Sequence, residues 1–131
     1  MLIYCTYCSA EKHPSKEPIA AIDLYKSTRI QEVYQMASKA NLAFFIFSGK
    51  HGLIAPKQSI AWYDHLLQKE ASSAHAEFLA KQIQSFNISA IHFFSNFPEN
   101  DPHLHTYIQC ITLACNSRNI PIQVSIQAFE D

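Results

Sequence analysis

Apolar residues come in short blocks along this chain, and the spacing inside each block predicts its element. Leu2 to Tyr7 is rich in strand formers and predicts a first strand. Cys8 to Pro18 is polar, holds Pro14 and Pro18, and reads as a loop. A short apolar piece, Ile19 to Tyr25, follows. Ser27 or Thr28 then stands where a helix cap is needed, and Ile30, Val33, Tyr34 and Ala37 fall at helical spacing. Leu42 to Phe47 is an unbroken apolar run, the pattern of a strand covered on both faces.

The stretch from Ser48 to Asp64 is irregular. From Asp64 to Phe86 the pattern turns helical, with Leu67, Ala71, Ala74 and Phe78, then Leu79, Ile83 and Phe86, on one broad face. Asn87 stops that helix. Ile88 to Ser95 predicts a third strand, and Asn96 to Pro102 a turn-rich loop. Leu104, Ile108, Ile111 and Cys115 mark another helix, ended by Asn119. Ile122, Val124 and Ile126 alternate with polar neighbours over Ile120 to Ile126, as in a final edge strand. Strands and helices thus alternate. The expected fold is α/β: a single three-layer domain, residues 1–131, with a four-stranded, mainly parallel sheet and helices on both faces. Ligands of such sheets gather beyond the carboxyl ends of the strands. That directs attention to the loops Cys8 to Pro18, Ser48 to Asp64 and Ser95 to Pro102.

Composition narrows the classes. A chain of 131 residues suits one domain, and 48% hydrophobic residues supply a core. A formal net charge of -1 gives no global basic excess, so any nucleic-acid contact has to be local. The opening residues lack the basic and long apolar regions of a signal peptide, and no apolar stretch is long enough for a membrane span. The expected compartment is the cytoplasm, with Cys5, Cys8, Cys110 and Cys115 reduced.

The only two glycines, Gly49 and Gly52, sit together just past the second predicted strand. They permit a tight turn with exposed N–H groups, where Ser48, Lys50 and His51 would offer donors to an anionic or carbonyl-bearing ligand. A plain strand-to-loop turn needs the same glycines. The first loop offers Cys8, Ser9, Lys12 and His13. If the two strands are neighbours, Lys12 and Lys50 share an edge. An ammonium crowded or desolvated there has a lowered pKa and can attack an electrophilic carbon. A solvated loop lysine is the plainer reading. Tyr63 and Trp62 are candidate stacking surfaces, and Asp64 is a helix cap or an acid/base.

Metal and hydrolase patterns are poorer. Cys5 and Cys8 have zinc-pair spacing, but Cys110 and Cys115 lie about 140° apart around a helix. Buried hydrophobes explain Cys5 and Cys110 better. Asp101, His103 and His105 diverge at a helix start, so no metal is assigned and no cofactor is called for. No nucleophile-elbow pattern frames Ser9 or Ser48.

The blocks Cys8-Ser9-x-x-Lys12, Leu24-Tyr25-x-Ser27, Ser48 through Ile54 with Pro56, and Tyr63-Asp64 resemble, in order and spacing, a group of small bacterial and phage domains of unknown function. That group looks distantly similar to the YaaA peroxide-stress proteins. Cys8 with Lys12 and Tyr25 with Ser27 also resemble, more weakly, the catalytic domain of archaeosine synthase, a tRNA-modifying enzyme. The likeness covers residues 1 to 67. Gly49 and His51 depart from the usual Ala and Tyr, and Trp62 stands where a Pro often precedes the Tyr.

The resemblance implies a nucleobase- or nucleoside-processing domain, glycosylase-like or base-modifying, in nucleic-acid metabolism or stress protection. Lys12 would be nucleophile or electrostatic catalyst, with Ser9 and Asp64 beside it. Cys8, Tyr25, Ser27, Ser48, Gly49, Lys50, His51, Gly52 and Tyr63 would hold the ligand. The alternative is a non-catalytic nucleic-acid or nucleotide-binding module relying on Lys12, Lys50 and Lys57. A purely structural or partner-binding domain is the third reading.

Overall fold

The computed structural model describes residues 1–130. Its centre is a five-stranded sheet in the order β4-β3-β1-β6-β7, where β1 is Leu2–Tyr7, β3 Ala43–Ser48, β4 Gly52–Ile54, β6 Ala90–Ser95 and β7 Ile122–Ile126. β1, β3, β6 and β7 run parallel, and β4 is antiparallel to β3. Two short strands, β2 (Ile19–Ala20) and β5 (Ser59–Ile60), pair apart from this sheet, and a single helical turn, α1 (Ala21–Leu24), follows β2.

Helix α2, Thr28–Lys39, covers β1 and β3 on one face through Ile30, Val33 and Ala37. Its N-terminus is capped as the sequence predicts: Ser27 Oγ accepts from the Ile30 N–H at 3.2 Å. Helices α3 (Ser72–Ser85) and α4 (His103–Ser117) cover the other face. Alternate β1 residues point to the two layers, Ile3, Cys5 and Tyr7 toward α3 and α4, Tyr4 toward α2. Asn41, Asn87 and Asn119 follow the three long helices with φ of 57°, 56° and 56°, the left-handed stop that asparagine tolerates.

Two expectations need correction. The fifth strand, β4, is absent from the periodicity because it is three residues long; Gly52, at φ 71°, reverses the chain and pairs back on Ser48. The second long helix starts at Ser72, not at Asp64, after a 3-10 turn over Lys69–Ala71. Leu67 donates its N–H to Tyr107 Oη at 3.1 Å, a tertiary bond that replaces a helical one. The buried stripe of α3 is Ala76, Leu79 and Ile83, whereas Phe78 is exposed.

The chain leaves β1 toward the α2 face and leaves β6 toward the α4 face. β1 and β6 are neighbours. Their following loops therefore part to opposite sides, and a crevice opens between them.

Candidate functional site

That crevice is a cavity of about 560 Å³, within the size range of small-molecule sites. One wall is the end of β1 and its loop, Tyr7 to Lys12, with Lys26 and Arg29 beside it. Opposite stand Asn96, Phe97, Asn100 and Asp101 after β6, with His103, Leu104 and Tyr107 of α4. Asp64, His65 and Leu66 close one side, and Ala128 and Phe129, beyond β7, another.

The Lys12 loop is fastened to the segment before α2. His13 N–H donates to Leu24 O at 2.8 Å, Lys26 N–H donates to Glu11 O at 3.0 Å, and Lys12 bridges Tyr25. Ser9 Oγ turns back onto Glu11 O at 2.6 Å. Lys12 Nζ donates to Ala10 O at 3.3 Å and lies 4.6 Å from the centre of the Tyr63 ring. Lys50 Nζ lies 5.5 Å from the same centre. The two lysines therefore meet at one aromatic ring, whose π-face attracts cations. Trp62, half-exposed, offers a further ring 5.9 Å from Lys12 Nζ.

Below Lys12 runs a buried hydroxyl chain. Ser48 Oγ accepts from the N–H groups of Lys50 and His51, both at 3.1 Å. With both lone pairs used, its proton goes to Tyr63 Oη at 2.7 Å, and Tyr63 meets Tyr25 Oη at 2.5 Å. Burial pushes both phenols above the ordinary tyrosine range, so they are neutral donors and acceptors. The turn's N–H groups are thus spent inside the fold, in contrast to the expectation that they are displayed to a ligand.

The glycines answer to packing. A Cβ on Gly49 would stand 2.9 Å from Leu67 Cβ and 3.0 Å from Tyr107 Oη. One on Gly52 would strike the Gln82 amide and stand 2.9 Å from the Phe78 ring. Gln82 needs that approach, because its Oε1 accepts from Leu53 N–H at 2.8 Å and its Nε2 donates to His51 O at 3.2 Å.

Of the sequence-predicted site residues, the cavity is lined by Cys8, Ser9, Lys12 and Asp64. Asp64 is exposed and caps no helix. Tyr25, Ser48, Tyr63, Gly49, Lys50, His51 and Gly52 form the layer beneath and beside Lys12, and Ser27 is the α2 cap. His51 packs edge-on against Tyr63, and burial followed by Lys50 holds its pKa below 6.5. Among the described residues, no three His, Cys, Asp or Glu side chains gather as a metal site. The Cys110 and Cys115 thiols are pushed up by burial to about 11 and about 12.

Sequence reasoning missed Arg29, which is fully buried. Its Nη1 donates to Thr6 Oγ1 at 2.7 Å and to Tyr7 O at 2.6 Å, its Nη2 donates to Cys8 O at 3.3 Å, and its guanidinium lies 3.5 Å over the Tyr7 ring. A permanent charge is thereby fixed at the carboxyl end of β1. Its signal was its register: Arg29 stands four residues before Val33 and eight before Ala37, on the buried stripe of α2. Tyr107, which meets Cys8 Sγ at 3.9 Å, and the Asn96–Phe129 pair carried no comparable signal.

An α/β domain with a mostly parallel sheet and a cavity at its topological switch point defines the class. Residues 3–94 match a family of unknown function, DUF6884, and the chain belongs to that family. No curated protein and no solved structure matches the chain. No helix among the described residues is long and apolar enough to cross a membrane.

Proposed function

We propose that this chain binds a nucleobase or nucleoside in the β1–β6 cavity and acts on it, with Lys12 as the reacting or charge-stabilising amine. One observation carries the reading: the Lys12 loop faces aromatic Phe97 and the polar Asn100 and Asp101 across a cavity of about 560 Å³. A flat heterocycle can stack on the ring while its edge meets amide and carboxylate groups. The ligand class rests on the distant similarity of the small-domain group these blocks resemble to the YaaA proteins and, more weakly, on the likeness of Cys8 with Lys12 and Tyr25 with Ser27 to archaeosine synthase. A role in nucleic-acid metabolism or stress protection has the same support.

The test is a thermal-shift panel of nucleosides, with borohydride trapping on abasic-site DNA, modified tRNA and free nucleosides, read by intact mass. In the covalent case Lys12 Nζ adds to an aldehyde carbon, water leaves, and hydride reduces the imine to a stable secondary amine. Lys12→Ala should remove both adduct and shift while its circular dichroism stays native. Absence of shift and adduct in the wild-type chain would overturn the proposal.

One observation favours a second reading, the binding module without chemistry. Lys12 Nζ is occupied by Ala10 O and the Tyr63 ring, which suits a fixed cation. That reading expects reversible nucleic-acid or nucleotide binding that weakens steeply with salt and yields no product.

A further inference from the structure

The two edges of the sheet are finished differently. At the β4 edge the strand is only three residues long, and Gln82 of α3 already holds both the N–H and the C=O of Leu53, its outward-facing residue. At the other edge β7 is five residues long, Ile-Gln-Val-Ser-Ile, with no charge and no proline inside it. Natural edge strands are blunted by lysine, proline, bulges or a covering element. β7 has none of these devices.

Its register shows which groups are open. Ile91 N–H donates to Pro121 O, and Gln127 N–H donates to Ser95 O. In a parallel ladder alternate residues turn both backbone groups to the same neighbour. Gln123 and Ser125 therefore face β6, and Ile122, Val124 and Ile126 turn their N–H and C=O groups outward. Among the described residues nothing pairs with them. Ile126 is also 45% exposed.

The strand is complementary to itself. Turned about a two-fold axis at Val124, Val124 meets Val124, Ile122 meets Ile126 and Gln123 meets Ser125. Every outward N–H then faces an outward C=O. Apolar side chains oppose apolar ones on the α4 face, polar oppose polar on the other, and no like charges meet. This is the isologous geometry of a closed dimer.

We propose that β7 pairs antiparallel with β7 of a second copy of this chain, joining two sheets into one. Strands of the two copies then run in opposite directions, so their cavities open at opposite edges and act independently.

Sedimentation velocity of the reduced chain over a concentration series tests this, and a monomer–dimer equilibrium is expected. Ile126→Lys, at an exposed position, should abolish the dimer while its far-UV circular dichroism stays native. Val124→Cys should give a covalent dimer on mild oxidation, because paired residues of this type stand about 5.5 Å apart, within disulfide reach. Ile122→Cys alone should not cross-link beyond the wild-type background. A wild-type chain that stays monomeric throughout overturns the proposal. So does a dimer that survives Ile126→Lys and leaves Val124→Cys uncross-linked.

Discussion

Tyr63 does two jobs with two parts of one side chain. Its hydroxyl joins Ser48 to Tyr25, and its ring holds Lys12 and Lys50. The parts separate by substitution. Tyr63→Phe keeps the ring and should cost about 1–2 kcal/mol in urea unfolding, because two buried hydroxyls lose a partner. Its ligand-induced thermal shift should match that of the wild type. Tyr63→Leu loses the ring face as well, and ligand affinity should fall with it. Gly52→Ala is a different case. It forces a side chain onto φ 71° and into Gln82, so a loss of about 2 kcal/mol or more is expected by the same measurement.

Each element carries the cavity through one or two tethers. Arg29 ties α2 to the end of β1; Arg29→Leu would leave Thr6 Oγ1 and the Tyr7 and Cys8 carbonyls without these donors, costing about 3 kcal/mol in chemical denaturation. His75 ties α3 to β3, donating from Nε2 to Ser48 O at 2.9 Å while its ring stacks on Phe47. Burial, aided by the charge of His65 and opposed by that carbonyl, holds its pKa below 6.5. Unfolded histidine takes up a proton that the folded ring refuses. This contribution is therefore whole above the ordinary value and is lost as pH falls through the lowered folded one. The urea midpoint should drop as pH falls below the ordinary histidine value of about 6.5, and His75→Gln should flatten that slope in part, since burial also lowers His51 and His92. Elements marked by an apolar run or a clear period were legible in the sequence: β1, α2, β3, β6, α4 and β7. α3 was misjudged because two apolar stripes overlap on it, and the outer one, with Phe78, is the more conspicuous. β4 is too short to show a period. The Lys12 loop was legible because it follows an unmistakable strand, whereas Arg29 beside a cap reads as a solvated charge until its register with Val33 is counted.

In the whole molecule, the cavity is a product of topology before it is a product of any residue. The loops after β1 and β6 part because α2 and α4 lie on opposite faces, and the chain beyond β7 returns to finish the wall. There Asn96 and Phe129 bond each other in both directions, Nδ2 to O at 3.0 Å and N to Oδ1 at 3.3 Å. Asn96→Ala should loosen this strap. The expected result is faster amide exchange at Phe129 with little change at the core strands. The amino group of Met1, by contrast, is bonded to Asn87 O at the far end of the sheet. That polarity governs how the protein is handled. A tether or affinity tag attached after Phe129 hangs beside the cavity mouth and competes for the space a ligand needs. One attached before Met1 leaves the mouth clear, so surface-immobilised binding experiments should hold the molecule by its head.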